Sequence, residues 1–362
     1  MSRPPQPAAT LPHPSPPHGP SAGGDVFNGR LYAELHLHLG GALQPRILYV
    51  HLQRRKHALL ERFPDYDDFE AFFRRPRRDL ASYLEMHKLV EQIQRPDTLP
   101  DFLFKLVRGA YLFEELAYIE LRYCPYFRTD PALPEPARIA QMESIVRTVA
   151  DAARQPHYPV VLRQILCMHS TLPGEVNRAI VELAAAARPL GVVAVDLAGP
   201  DTAYAERLEE IATWFTRARQ LGLRTTGHLF ETPRDCHPEL LPLLDRIGHG
   251  IQIPLLHPHL LPEVARRGQC LEVCPTSYLR TGTLQRYDQL RPVFERCADA
   301  GVDVVLCTDN AGLHMTRLPA EFENLLIHEV IDFPTMLACQ DAAFRHAFDW
   351  PFGGPARHLL AR

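Results

Sequence analysis

The chain has 362 residues, 46% of them hydrophobic and 23% charged, with a formal net charge of -4. That composition is globular, and its slight acidity excludes a general binder of nucleic acid or of an anionic membrane surface. A small-molecule partner is expected instead.

Residues 1–24, MSRPPQPAATLPHPSPPHGPSAGG, are dense in Pro, Ser and Gly, which neither bury apolar area nor sustain regular hydrogen bonding. They are expected to form a disordered Pro-rich tail in which His13 and His18 are solvated. The tail lacks the apolar core of a secretory signal, and no later run is long enough for a bilayer span. Eight cysteines form no CxxC pair and lie mostly inside apolar segments, which reads as reduced, buried thiols in a cytoplasmic protein. Residues 25–362 are expected to make a single domain, since one closed α/β barrel can use a chain of this length.

The first β-rich run is LYAELHLHL, residues 31–39. In a strand, side chains two residues apart share a face, so His36 and His38 would project together about 7 Å apart and could grip one ion. The alternative is the polar edge of a half-buried strand. A long connection from about residue 43 to 116 follows, with several helical segments where one would suffice. It carries DYDDFEAFFRRPRRDLASYLEMHKLV. One reading is a lid whose Phe72 and Phe73 face a ligand and whose Arg74, Arg75, Arg77 and Arg78 meet an anion. The favoured reading is an ordinary helix end with solvated arginines around Pro76.

Seven more β-rich runs follow, at 117–126, 158–167, 191–199, 223–231, 246–253, 269–275 and 302–310. Amphipathic stretches such as PGEVNRAIVELAAAARPLG separate most of them, with apolar residues at helical spacing and Gly just past the end. Eight strands with crossover helices predict an α/β fold, a (β/α)8 TIM-type barrel with extra helices after the first strand.

In such a barrel the active site forms at the C-terminal ends of the strands. The first run ends with His36 and His38, the fifth with GHLFE (His228 and Glu231), the sixth with GHG (His249), and the eighth with TDN (Asp309 and Asn310). Singly, such a His is more often a satisfied structural group and such an Asp a helix cap. Together, His36, His38, His228 and Asp309 form a borderline donor set that suits one Zn2+ per chain, or another divalent transition metal, with room for a water. Catalytic zinc sites commonly use three protein ligands, so Asp309 as a fourth would make the site five-coordinate and could partly serve as a proton acceptor.

The segments ELHLHLGGAL, IELRYCPY, VDLAGPD, GHLFE, RIGHG, LEVCPTS and LCTDN, in this order, resemble the adenosine deaminase family of the amidohydrolase superfamily. The other zinc deaminase pattern, H-x-E with P-C-x-x-C, is absent. The resemblance implies a metal-dependent hydrolase that removes the exocyclic amine of adenosine or a related 6-aminopurine nucleoside or nucleotide, giving the 6-oxo product and ammonia. It implies catalytic roles for Glu231, as donor of a proton to the ring, for His249, which meets the attacking water, and for Asp309. Glu231 must then hold its proton near neutral pH, which apolar surroundings such as Leu229 and Phe230 favour; its alternative is a first-turn helix residue. Gly199 would offer a backbone N–H to the purine, its alternative being a plain turn glycine, and Asn310 would meet the imidazole half of the ring.

Two positions depart from the family pattern. Asn310 stands where a second Asp is common, and Gly40 stands where an acidic residue or Asn is usual and where adenosine deaminases hold the ribose 5′-hydroxyl. Loss of such a contact redirects substrate choice, toward 5′-modified nucleosides, a nucleotide reaching the arginine cluster, or another 6-aminopurine. Two other readings are a superfamily hydrolase acting on an amide, lactone or phosphoester, and a non-catalytic barrel that binds without turnover.

Overall fold

The computed structural model describes residues 30–75, 80–91 and 93–352. The Pro-rich segment, Arg77 and Arg78 lie outside the described residues.

Parallel strands are laid down in chain order: β1 (Tyr32–His38), β2 (Leu116–Tyr123), β3 (Val161–His169), β4 (Val192–Ala198), β5 (Arg224–Thr225), β6 (His228–Leu229), β7 (Ile247–His249), β8 (Cys270–Val273) and β9 (Asp303–Leu306). Hydrogen bonding links β1 to β5 in one series and β6 to β9 in a second. The two series share one stave. The Thr226 N–H donates to Val195 O of β4 at 3.0 Å, whereas the next carbonyl, Gly227 O, accepts from Gly248 N of β7 at 2.9 Å. The expected run 223–231 is therefore broken where it changes pairing partner. Among the described residues, nine strands make eight staves.

The barrel closes between its first and last staves through a parallel bridge of Leu37 with Asp309. His38 N donates to Asp309 O at 2.7 Å, and Asp309 N donates to His36 O at 2.8 Å. Buried strands such as β2 carry nearly continuous apolar runs because both faces are covered, as parallel sheets require. Outside, helices bury one stripe each. In the helix Leu208–Gln220 the stripe is Ile211, Trp214, Phe215 and Ala218, at helical spacing, and the chain leaves it through Gly222 at φ 75°.

The expected strand 246–253 is too long. Gly250, at φ 72°, turns the chain straight after His249, and Gln252–Leu256 is already helical. The long connection after β1 folds as five helices, Pro45–Arg55, Leu59–Arg62, Tyr66–Arg74, Leu80–Glu91 and Leu99–Phe113. Phe73 is buried against Phe69 and Phe72, with ring centroids 4.9 and 5.2 Å apart, so this aromatic cluster packs inward on its own helices. Arg74 pairs with Glu70 at 3.2 Å on the surface, as a helix end does. The lid reading of these residues thus gives way to the packing one. No described helix is long and apolar enough to cross a membrane. All eight cysteines are free, and all but Cys236 are buried.

Candidate active site

Strand alternation brings His36 and His38 to the same side of β1, β6 opens with His228, and Asp309 follows β9 at the closing seam. Their donor atoms converge. His228 Nε2 lies 2.9 Å from His38 Nε2 and 3.1 Å from His36 Nε2. Asp309 Oδ1 is 3.4 Å from His38 Nε2 and 3.8 Å from His36 Nε2. One ligand atom from each of the four residues falls within 4.8 Å of the others.

Three of the four donors are aimed from behind. His36 Nδ1 lies 2.9 Å from Glu272 Oε2, and Glu272 in turn accepts from Arg122 at 2.8 Å and Arg246 at 2.7 Å. His228 Nδ1 donates to Leu197 O at 2.9 Å, with Asp196 Oδ1 3.3 Å away. Donation from Nδ1 leaves the Nε2 lone pair facing the cluster. Ser277 Oγ donates to Asp309 Oδ2 at 2.7 Å and leaves Oδ1 for the imidazoles. Phe230, His249 and Asp309 all hold left-handed backbone, at φ 56°, 67° and 60°. For residues other than glycine this costs on the order of 1 kcal/mol or more each, and such residues gather where side chains must be aimed.

The electrostatics favour positive charge on only one of the three imidazoles. Burial, helped by Arg122 and the neighbouring imidazoles, pushes the pKa of His36 well below the ordinary range, and His38 follows for the same reasons. Burial also opposes a charge on His228, but Asp196 outweighs it and raises that group to about 9. For Glu272 burial is likewise the largest influence, yet Arg122 and Arg246 overcome it and hold the carboxyl below its usual range. Three imidazole nitrogens and one carboxylate oxygen fit zinc or another divalent transition metal.

Glu231 and His249 stand beside the cluster. His249 Nε2 is 3.6 Å from Glu231 Oε2, and its ring centroid is 4.8 Å from that of His36. The Tyr278 hydroxyl lies 3.3 Å from His249 Nδ1 and accepts the Cys274 N–H at 3.0 Å. Burial first, then the charges of His228 and Arg122, lower the His249 pKa well below the ordinary range.

His38, His228, Glu231, His249 and Asp309 face one cavity, about 800 Å3 counted out to its open mouth. Its lining includes Gly40, Gly199, Glu231, His249, Asp309 and Asn310, while His36 is fully buried beneath it. Gly199 has φ 115°, and a Cβ there would come within 2.4 Å of Ser170 Oγ, so only glycine fits. Arg74 and Arg75 do not line the cavity; His87 and Glu91, from the helix Leu80–Glu91, do. Sequence reasoning passed over Asp196, Glu272, Arg122, Ser277 and Tyr278. The first three had a signal, since a charged residue inside an apolar strand must have a buried partner. His87 had none.

The sequence profile of the adenosine deaminase family matches residues 32–348. The chain belongs to the adenosine deaminase family. It is 30% identical over 310 residues to an adenosine deaminase of Clostridium perfringens, covering 83% of this chain and 88% of that protein. It is 28% identical over 317 residues to an N6-methyl-AMP deaminase of Danio rerio, covering 83% and 85%. Among solved structures, the adenine deaminase of Arthrobacter aurescens shares the family fold with a TM-score of 0.76 at 18% identity, over 92% of this chain and 100% of that one.

Proposed function

We propose that the chain is a zinc-dependent aminohydrolase that removes the exocyclic amine of a 6-aminopurine nucleoside or nucleotide. The observation that carries this reading is the meeting of the four-donor cluster with Glu231 and His249 at the floor of one cavity, which all of them but the buried His36 line. In it, His36, His38, His228 and Asp309 hold the ion. When bound, the ion supplies a water acidic enough to ionise near neutral pH. Glu231 hands its carboxyl proton to the ring nitrogen next to the amine-bearing carbon, which makes that carbon electrophilic. His249, neutral because it is buried, takes a proton from the attacking water at Nε2, since Tyr278 engages Nδ1. That proton passes to the departing amine, the C–N bond breaks and ammonia leaves, while the new hydroxyl becomes the 6-oxo group and gives its proton back to Glu231. Gly199 gives its backbone N–H to the ring from a place no side chain could share, and Asn310 meets the imidazole half.

The test is ammonia release from adenine, adenosine, 5′-modified adenosines, AMP and N6-methyl-AMP, with bound-metal analysis alongside. Turnover of at least one is expected; a zinc-loaded protein silent on all of them overturns the reading. Glu231→Gln should lower kcat by roughly 100-fold or more while zinc stays bound. Unchanged turnover would strip Glu231 of its role.

A further inference from the structure

The turn Leu39–Gly41 places two glycines against two side chains from elsewhere in the chain. A Cβ at Gly40 would stand 2.4 Å from His87 Cε1 and 2.6 Å from its Nε2. At Gly41 it would stand 1.8 Å from Asn310 Oδ1. The two intruding side chains are joined, His87 Nε2 lying 3.1 Å from Asn310 Oδ1. Glu91 Oε1, at 3.9 Å from His87 Nδ1, is beyond hydrogen-bond reach, so the ring proton serves Asn310 from Nε2. The turn itself is pinned, because Gln94 Nε2 donates to Leu39 O at 2.9 Å and Arg128 holds Gln94 Oε1 at 3.0 Å. The arrangement is therefore fixed on every side: a rigid glycine turn, a histidine seated on it, and an asparagine gripped by its oxygen.

A side-chain amide has a donor end and an acceptor end, and a free amide can turn either one toward a ligand. We propose that His87 is a positioning residue for substrate choice: by holding Asn310 Oδ1 it turns the NH2 to the cavity, so that the site selects a purine bearing an unprotonated ring acceptor at N7. This rests on the functional reading above, and it gives the Gly40 departure a purpose. A side chain at that position would occupy the space His87 needs.

The experiment compares kcat and KM for adenosine and adenine, each against its 7-deaza analogue, in which a C–H replaces the acceptor. The unaltered enzyme should lose roughly 100-fold or more in kcat/KM on the 7-deaza compounds, because the held amide donor is left unpaired. His87→Phe keeps a ring over Gly40 but has no N–H, and should shrink the discrimination to under about tenfold, chiefly by raising KM for the parent purines. His87→Gln restores a donor and should restore most of the discrimination. Bound zinc and thermal midpoint, measured on each variant, show whether a change is one of folding. Equal turnover of purine and 7-deazapurine by the unaltered enzyme, or full discrimination in His87→Phe, overturns this proposal alone. Silence on every 6-aminopurine overturns the functional reading and this proposal with it.

Discussion

Among single residues, Glu321 shows how burial alone sets a charge state. Its carboxyl is fully buried, accepts the Thr276 N–H at 3.0 Å and meets the Thr316 hydroxyl at 2.5 Å. Desolvation raises its pKa to about 7 in spite of those hydrogen bonds. A carboxyl whose folded pKa lies above its unfolded value of 4.5 contributes stability that is complete below that value and is lost as pH rises through the folded pKa. Glutamine mimics the neutral acid, with one acceptor and one donor end. In urea unfolding, the stability of Glu321→Gln relative to the unaltered chain should rise by on the order of 3 kcal/mol between about pH 4 and pH 8. A difference that does not move with pH would show that Glu321 is ionised when folded.

At the scale of elements, the short helix Ala311–His314 decides how the end of the barrel meets its beginning. A Cβ on Gly312 would sit 2.2 Å from the Leu43 carbonyl carbon and 2.3 Å from its oxygen. Both are backbone atoms, so the helix would have to shift and carry Asp309 and Asn310 with it. Gly312→Ala should destabilise the protein by about 1–3 kcal/mol and lower its bound-metal content, read by thermal unfolding and metal analysis. A stable, fully loaded variant would show that this contact does not position Asp309. The β-rich runs and the residues at their ends were legible because alternation and motif order are local properties of the sequence. The lengths of β5, β6 and β7 were not, since a change of pairing partner at Gly227 and a left-handed Gly250 depend on neighbours far along the chain. His87 was invisible for the same reason: its partner Asn310 lies 223 positions away.

Seen as a whole, the barrel holds buried charge beneath its mouth. Arg246 bonds both Glu120 and Glu272, Arg122 bonds Glu272, and all four are fully or almost fully inaccessible. Such charges are tolerable only when paired with opposite charge, and the pairs reach upward to His36 through Glu272. An ion at the mouth would add attachments between staves that are otherwise joined at the seam by one backbone bridge and by the bonds of Thr308 to Glu34. Chelation should therefore lower the thermal midpoint by several degrees and speed amide exchange selectively at residues 36–38 and 309. Exchange that rises evenly around the barrel would argue against the ion as a clasp.

The two backbone bonds that shut the barrel are made by His36, His38 and Asp309, which also bring their side chains to the cluster. A ribosome reaches Asp309 only after it has made every other member of the quartet. Until Asp309 is made, a nascent chain can thus present imidazoles but not the finished cage, so the cage and the closing seam would be completed by the same residue.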